Sequence, residues 1–87
     1  MNVVILFGAL IEVTDNCIAI IDKLIAQRKL IGMTQVDLAN ATNLTQSVIA
    51  RFESKKTTPK LDTLLKISYA LGCDIDVIPW SGSAAIR

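Results

Sequence analysis

Residues 33–53 read MTQVDLANATNLTQSVIARFE. The stretch divides into two short segments of helical periodicity, separated by a small polar break. Thr34 is a good N-cap for a helix running to about Thr42. Val36, Leu38 and Ala39 lie on one side of that helix, with Asp37, Asn40 and Ala41 on the other. Asn43 follows, one of the few residues other than glycine that tolerates positive φ. Thr45 then caps a second helix, 45–53. At about 100° per residue, Val48, Ile49 and Phe52 fall in one sector and Gln46, Ser47, Ala50 and Arg51 in another. One sector is core, and the other turns polar or small side chains outward.

Working outward, Thr14 or Asp15 opens an earlier helix in which Ile18, Ile21, Leu24, Ile25 and Arg28 recur at helical spacing, with Gly32 at its end. Further back, Val3–Leu6 is aliphatic at every position and Gly8 follows. This reads as a short strand buried on both faces, although periodicity alone does not separate it from a helix. On the other side, residues 54–60 (SKKTTPK) form a basic loop. Pro59 helps start a fourth helix with Leu61, Leu64, Leu65, Ile67 and Leu71 inside, and Gly72 closes it. In residues 73–80 (CDIDVIPW) the alternation suits a half-exposed strand ending at Pro79, with a short fifth helix as the competing assignment. The chain thus divides into an apolar segment at 1–13 (a strand or dimer arm), a folded domain at 14–79 and a flexible tail at 80–87.

The 87 residues suffice for one domain with a modest core, and chains this short often gain stability by pairing with themselves. A 52% apolar and 20% charged composition belongs to a folded chain. The net charge of +1 does not by itself point to a nucleic-acid partner, but its distribution says more. Residues 28–66 carry +4, residues 1–27 carry −2 and residues 67–87 carry −1, so a basic middle lies between acidic flanks. Cys17 and Cys73 sit among apolar residues and read as reduced, buried thiols. The sequons at Asn40 and Asn43 read as accidental. The apolar run Val3–Ile11 is about half the length of a membrane span and has no basic residue before it. A cytoplasmic protein with no membrane partner is expected. With no histidine, no glycine-rich phosphate loop and no Cys/His cluster, no catalytic residue, metal site or cofactor is assigned. Asp74 and Asp76 share a face of the alternating segment, but no third ligand accompanies them.

Two helices joined by a turn of three to four residues make a helix-turn-helix, whose second helix can lie in the major groove of DNA. The outward set on helix 45–53 suits that place. Gln pairs bidentately with adenine and Arg with guanine, Ser reads either, and Ala50 can pack on a thymine methyl. Arg28, MTQVDLA, LTQSVIARFE and PKLDTLLKISYALG, in this order and spacing, resemble the Cro/C1-type (XRE-family) helix-turn-helix domain of phage repressors, bacterial regulators and antitoxins. The resemblance runs from about Ile18 to Ile78 and leaves the segment before Thr14 uncovered.

The resemblance implies a mainly α, lambda-repressor-like helix-turn-helix bundle of four to five helices, to which the terminal segments would add short β-strands. It implies that Gln46, Ser47 and Arg51 read bases, with Ala50 beside them. Gln35 would bond a phosphate and steady Gln46. Thr34 and Thr45, at the starts of the two helices, would both contact DNA, and Thr45 would hold a phosphate, aided by the helix dipole. Lys55, Lys56 and Lys60 would grip the DNA backbone, and Arg28 with Glu53 would form a structural pair. Two departures stand out: Asn43 replaces the family's usual glycine, and Ser54-Lys55 replaces a frequent Asn-Gly. The function implied is sequence-specific regulation of transcription, most simply repression, by a homodimer on a palindromic operator in double-stranded DNA. An antitoxin bound to a toxin is the alternative within that class. A protein-interaction module that kept the fold without DNA, favoured by the low net charge, is the alternative outside it.

Overall fold

The computed structural model describes residues 2–79. Four helices appear in chain order: α1 (Asn2–Leu30), α2 (Gln35–Thr42), α3 (Gln46–Ser54) and α4 (Leu61–Ala70). Among the described residues there is no strand, and the tail at 80–87 lies outside them. The architecture is an all-α helix-turn-helix bundle, as the resemblance implies.

Three helix ends share one device. After α1, α2 and α4 the chain turns through a left-handed residue: Gly32 (φ 77°), Asn43 (φ 58°) and Gly72 (φ 74°). In each case the left-handed residue and the one after it donate back into the last turn. Gly32 N–H bonds the Lys29 carbonyl (3.1 Å) and Met33 N–H that of Arg28 (3.0 Å). Leu44 and Cys73 close α2 and α4 in the same way, on the carbonyls of Ala39 and Ser68. This double closure satisfies carbonyls that a helix end would otherwise orphan. It also delivers an apolar residue inward each time: Met33, Leu44 and Cys73 all pack against the core. Asn43 therefore makes the turn for which the family uses glycine.

The core gathers Ile21 and Leu24 from α1, Leu38 and Ala39 from α2, Ile49 and Phe52 from α3, Ile67 from α4 and Leu71 just after it. Ile49 and Ile67 are fully buried. Two hydroxyls join them without an unmet partner. Thr42 donates to the Leu38 carbonyl (2.8 Å), and Ser68 to that of Leu65 (2.9 Å).

The structure corrects four assignments. Val3–Leu6 is helical and belongs to α1, so Thr14 and Asp15 lie inside a helix and cap nothing. An apolar run without a period takes the conformation of its neighbours. No proline or turn cluster stands between Gly8 and the helix that follows, so each added residue gains a backbone bond. The alternating segment 73–79 forms neither strand nor fifth helix; with residues 3–6 helical, it has no strand edge to pair with. Val36 is 49% exposed. It stands about 110° from the centre of the sector formed by Leu38, Ala39 and Thr42, outside the buried stripe. Leu61, at the first position of α4, is 68% exposed; the helix begins there with Lys60 as N-cap, and Pro59 lies one residue further out.

Candidate nucleic-acid interface

Both ends of the turn between α2 and α3 are set by local chemistry. Thr34 and Asp37 cap α2 reciprocally. Thr34 Oγ1 accepts from the Asp37 N–H (3.0 Å), and Asp37 Oδ2 accepts from the Thr34 N–H (2.9 Å). This is a capping box with aspartate in the place usually taken by glutamate. Thr45 caps α3 by accepting from the Val48 N–H (3.2 Å). The positive end of the α3 dipole is thereby stabilised beside the exposed Thr45, Gln46 and Ser47, where an anion would be favoured.

The Asp37 carboxyl is held below its usual range by the Thr34 backbone bond first and the Thr34 hydroxyl second. A carboxyl whose folded value is depressed binds its proton more readily in the unfolded chain. Its contribution is therefore complete above the unfolded value near 3.8 and is lost as pH falls through the lower folded value. An Asp37→Asn variant should be less stable than the parent at neutral pH, and the gap should narrow as pH drops below ~3.8. Chemical denaturation across that range measures it, and a gap independent of pH would refute the assignment.

Gln46, Ser47, Ala50 and Arg51 are exposed along one face of α3, opposite Ile49 and Phe52. The division expected from the helical wheel is the one found. Beneath that face lies a connected set of polar groups. Arg28 is only 8% exposed. Its Nε donates to Glu53 Oε2 (2.6 Å), its second guanidinium nitrogen to Glu53 Oε1 (2.9 Å), and the third to the Met33 carbonyl (2.8 Å). This bidentate pair ties α1 to the end of α3, while the Met33 bond adds the turn before α2. Gln35 Nε2 also donates to Glu53 Oε1 (3.1 Å), and Gln46 Nε2 donates to Gln35 Oε1 (3.4 Å). Gln35 and Gln46 are thus brought together. The continuation to Glu53 has no signature in the sequence, because nothing local marks a contact 18 residues away.

The basic loop divides. Lys55 closes α3 in a left-handed conformation (φ 62°), which is costly for a side chain with a Cβ and explains why glycine is frequent there in the family. Its Nζ turns back to Asp22 Oδ1 on α1 at 2.6 Å. Both partners are substantially exposed, so the pair adds little stability, but it directs the Lys55 amine toward α1. Lys56 and Lys60 are exposed on the loop. No described helix is long and apolar enough to cross a membrane. Among the described residues no three metal-ligating side chains gather.

Comparison with known proteins agrees with this geometry. The helix-turn-helix family model matches residues 24–78. An uncharacterised HTH-type transcriptional regulator of Haemophilus influenzae is 37% identical over 62 residues, which are 71% of this chain and 63% of that protein. Antitoxin HigA1 of Mycobacterium tuberculosis is 29% identical over 72 residues, or 83% of this chain and 48% of that protein. The chain therefore spans less than two thirds of these relatives. Among solved structures, a toxin–antitoxin module from Streptococcus pneumoniae superposes with a TM-score of 0.68 at 39% identity, covering 82% of this chain and 78% of that one. With the family pattern spanning the end of α1 through the segment after α4, this chain belongs to the helix-turn-helix family, in its Cro/C1-type (XRE) branch.

Proposed function

We propose that the chain is a sequence-specific DNA-binding regulator of transcription that reads the major groove with α3. The observation that carries this reading is the exposed face of Gln46, Ser47, Ala50 and Arg51, with Gln46 steadied by Gln35. Gln46 and Arg51 are the base-reading side chains, with Ser47 and Ala50 completing the surface. Thr34, Gln35 and Thr45 meet phosphates near the helix starts, and Lys56 and Lys60 grip the backbone from the loop. Lys55 joins them by exchanging Asp22 for a phosphate. One small domain offers few base contacts, so a homodimer on an inverted repeat, with half-sites about a helical turn apart, completes the reading.

Selection of bound sites from a random DNA library tests this directly. An enriched inverted repeat is the expected result. The absence of enrichment by a folded chain would turn attention to a protein partner. The roles within the site separate by mutation. Arg51→Ala should lower specific affinity by about 1–3 kcal/mol and relax one base position. Lys56→Ala should weaken binding to all sequences alike and flatten the salt dependence. Titrations of specific and random duplexes at several salt concentrations distinguish the two, and identical behaviour of both variants would refute the division into reader and clamp.

A second reading, that this regulator is the antitoxin of a toxin–antitoxin pair, is favoured by the likeness to the Streptococcus pneumoniae toxin–antitoxin module and to HigA1. Co-purification of a small basic protein whose expression alone arrests growth would support it.

A further inference from the structure

We infer that Glu53, partly buried behind the recognition face, decides which base Gln46 reads, by fixing the direction in which two glutamine amides point. The inference rests on the proposal that Gln46 meets a base edge.

An ionised carboxylate can only accept hydrogen bonds. Glu53 is held in place by the bidentate Arg28 pair, with side chains only 9–10% exposed, and its Oε1 also faces Gln35. Gln35 must therefore turn its amide nitrogen toward Glu53, which leaves its oxygen toward Gln46. That oxygen likewise only accepts, so Gln46 must turn its own nitrogen inward. A side-chain amide is otherwise free to flip, since its two ends are nearly equal in size. Here a fixed negative charge removes the choice at the first link and passes the decision outward. At 3.4 Å the outer link is the longest of the set and the most exposed, so it sets direction more than strength.

The consequence lies in what Gln46 has left to offer. One amide hydrogen is used on Gln35. The other hydrogen and the Oε1 acceptor remain, one donor beside one acceptor. Adenine presents the complement in the major groove, with N7 accepting and N6 donating. Guanine presents two acceptors, N7 and O6, and O6 would oppose the Gln46 oxygen. Were Gln46 reversed, its oxygen would face inward and both amide hydrogens outward, which suits guanine. Glu53 is thus a positioning residue for specificity, and its effect is a preference for adenine over guanine at one position of the half-site.

The test compares matched duplexes that differ only in adenine or guanine at that position. The parent should prefer adenine by about 5- to 150-fold, the range for one good bidentate contact. The double variant R28M/E53M removes the carboxylate while leaving no unpaired buried charge, with Gln35 and Gln46 intact. It should bring the ratio to within a few-fold of unity. Gln35→Met cuts the link without touching the ion pair and should do the same, so the inference remains testable if the double variant folds poorly. A parental ratio in either folded variant overturns the role of Glu53. Gln46→Ala separates this failure from a deeper one: if it leaves the parental base preference unchanged, Gln46 does not read that base and the reading of the site itself fails.

Discussion

Glu53→Ala should destabilise the domain by about 3–5 kcal/mol, the loss found when one member of a buried ion pair is removed. The cost arises mainly from what remains. Arg28 would stay buried with a full charge and only the Met33 carbonyl as partner, while Gln35 would lose its acceptor as well. Roughly 4–13 kcal/mol is the whole stability expected for a chain of this length. At several degrees per kcal/mol for a domain this small, Tm should fall by well over 10 °C. The double variant R28M/E53M should recover most of that loss, because two apolar side chains of similar length incur no desolvation of charge. Thermal denaturation of the parent, the single variant and the double variant closes the comparison. A single variant within 1 kcal/mol of the parent would mean that water reaches Arg28 and that the pair is not the rigid base on which the amide relay depends.

What could be read from the sequence was what local chemistry encodes. Thr34, Thr45 and Asn43 each declare their conformations without reference to distant residues, since an N-cap needs a short hydroxyl and a left-handed turn needs a residue that tolerates it. The two sectors of α3 were legible for a similar reason: nine residues at a constant angular step leave little freedom once Ile49 and Phe52 are assigned inward. The carboxylate that Gln35 meets was not legible, nor was the pairing of Lys55 with Asp22. Those contacts join residues 18 and 33 positions apart, and only the packed bundle brings them together. The strand expected at Val3–Leu6 failed for another reason. That segment has no period, so its conformation is decided by the helix it adjoins and not by its own residues. Val36 shows the narrower limit of pattern reading: on an eight-residue helix a single aliphatic side chain off the stripe is easily counted into it.

Ile49→Ala should cost about 2–5 kcal/mol, with Ile49→Val costing about 0.5–1.5 kcal/mol. Ile49 has no exposed surface and belongs to the same buried cluster as Leu38 of α2, Phe52 of α3 and Ile67 of α4. Truncation to alanine both forfeits transfer free energy and leaves a cavity that three short helices can close only by moving. The side chain sits on the face of α3 opposite Gln46, Ser47 and Arg51, so no DNA contact is removed. Its effect on binding should therefore come through the folded fraction and through any shift of α3 against α2. If the helix keeps its seat, the specific affinity per folded molecule stays at the parental value while Tm falls, and the adenine preference at the Gln46 position persists. If α3 moves to fill the void, the 3.4 Å contact between Gln46 and Gln35 is the first to open, and base preference relaxes along with stability. Denaturant melts paired with binding titrations on the folded fraction separate these outcomes. A truncation costing under 1 kcal/mol would contradict the close packing of α3 onto the core, and with it the rigidity that the recognition face requires.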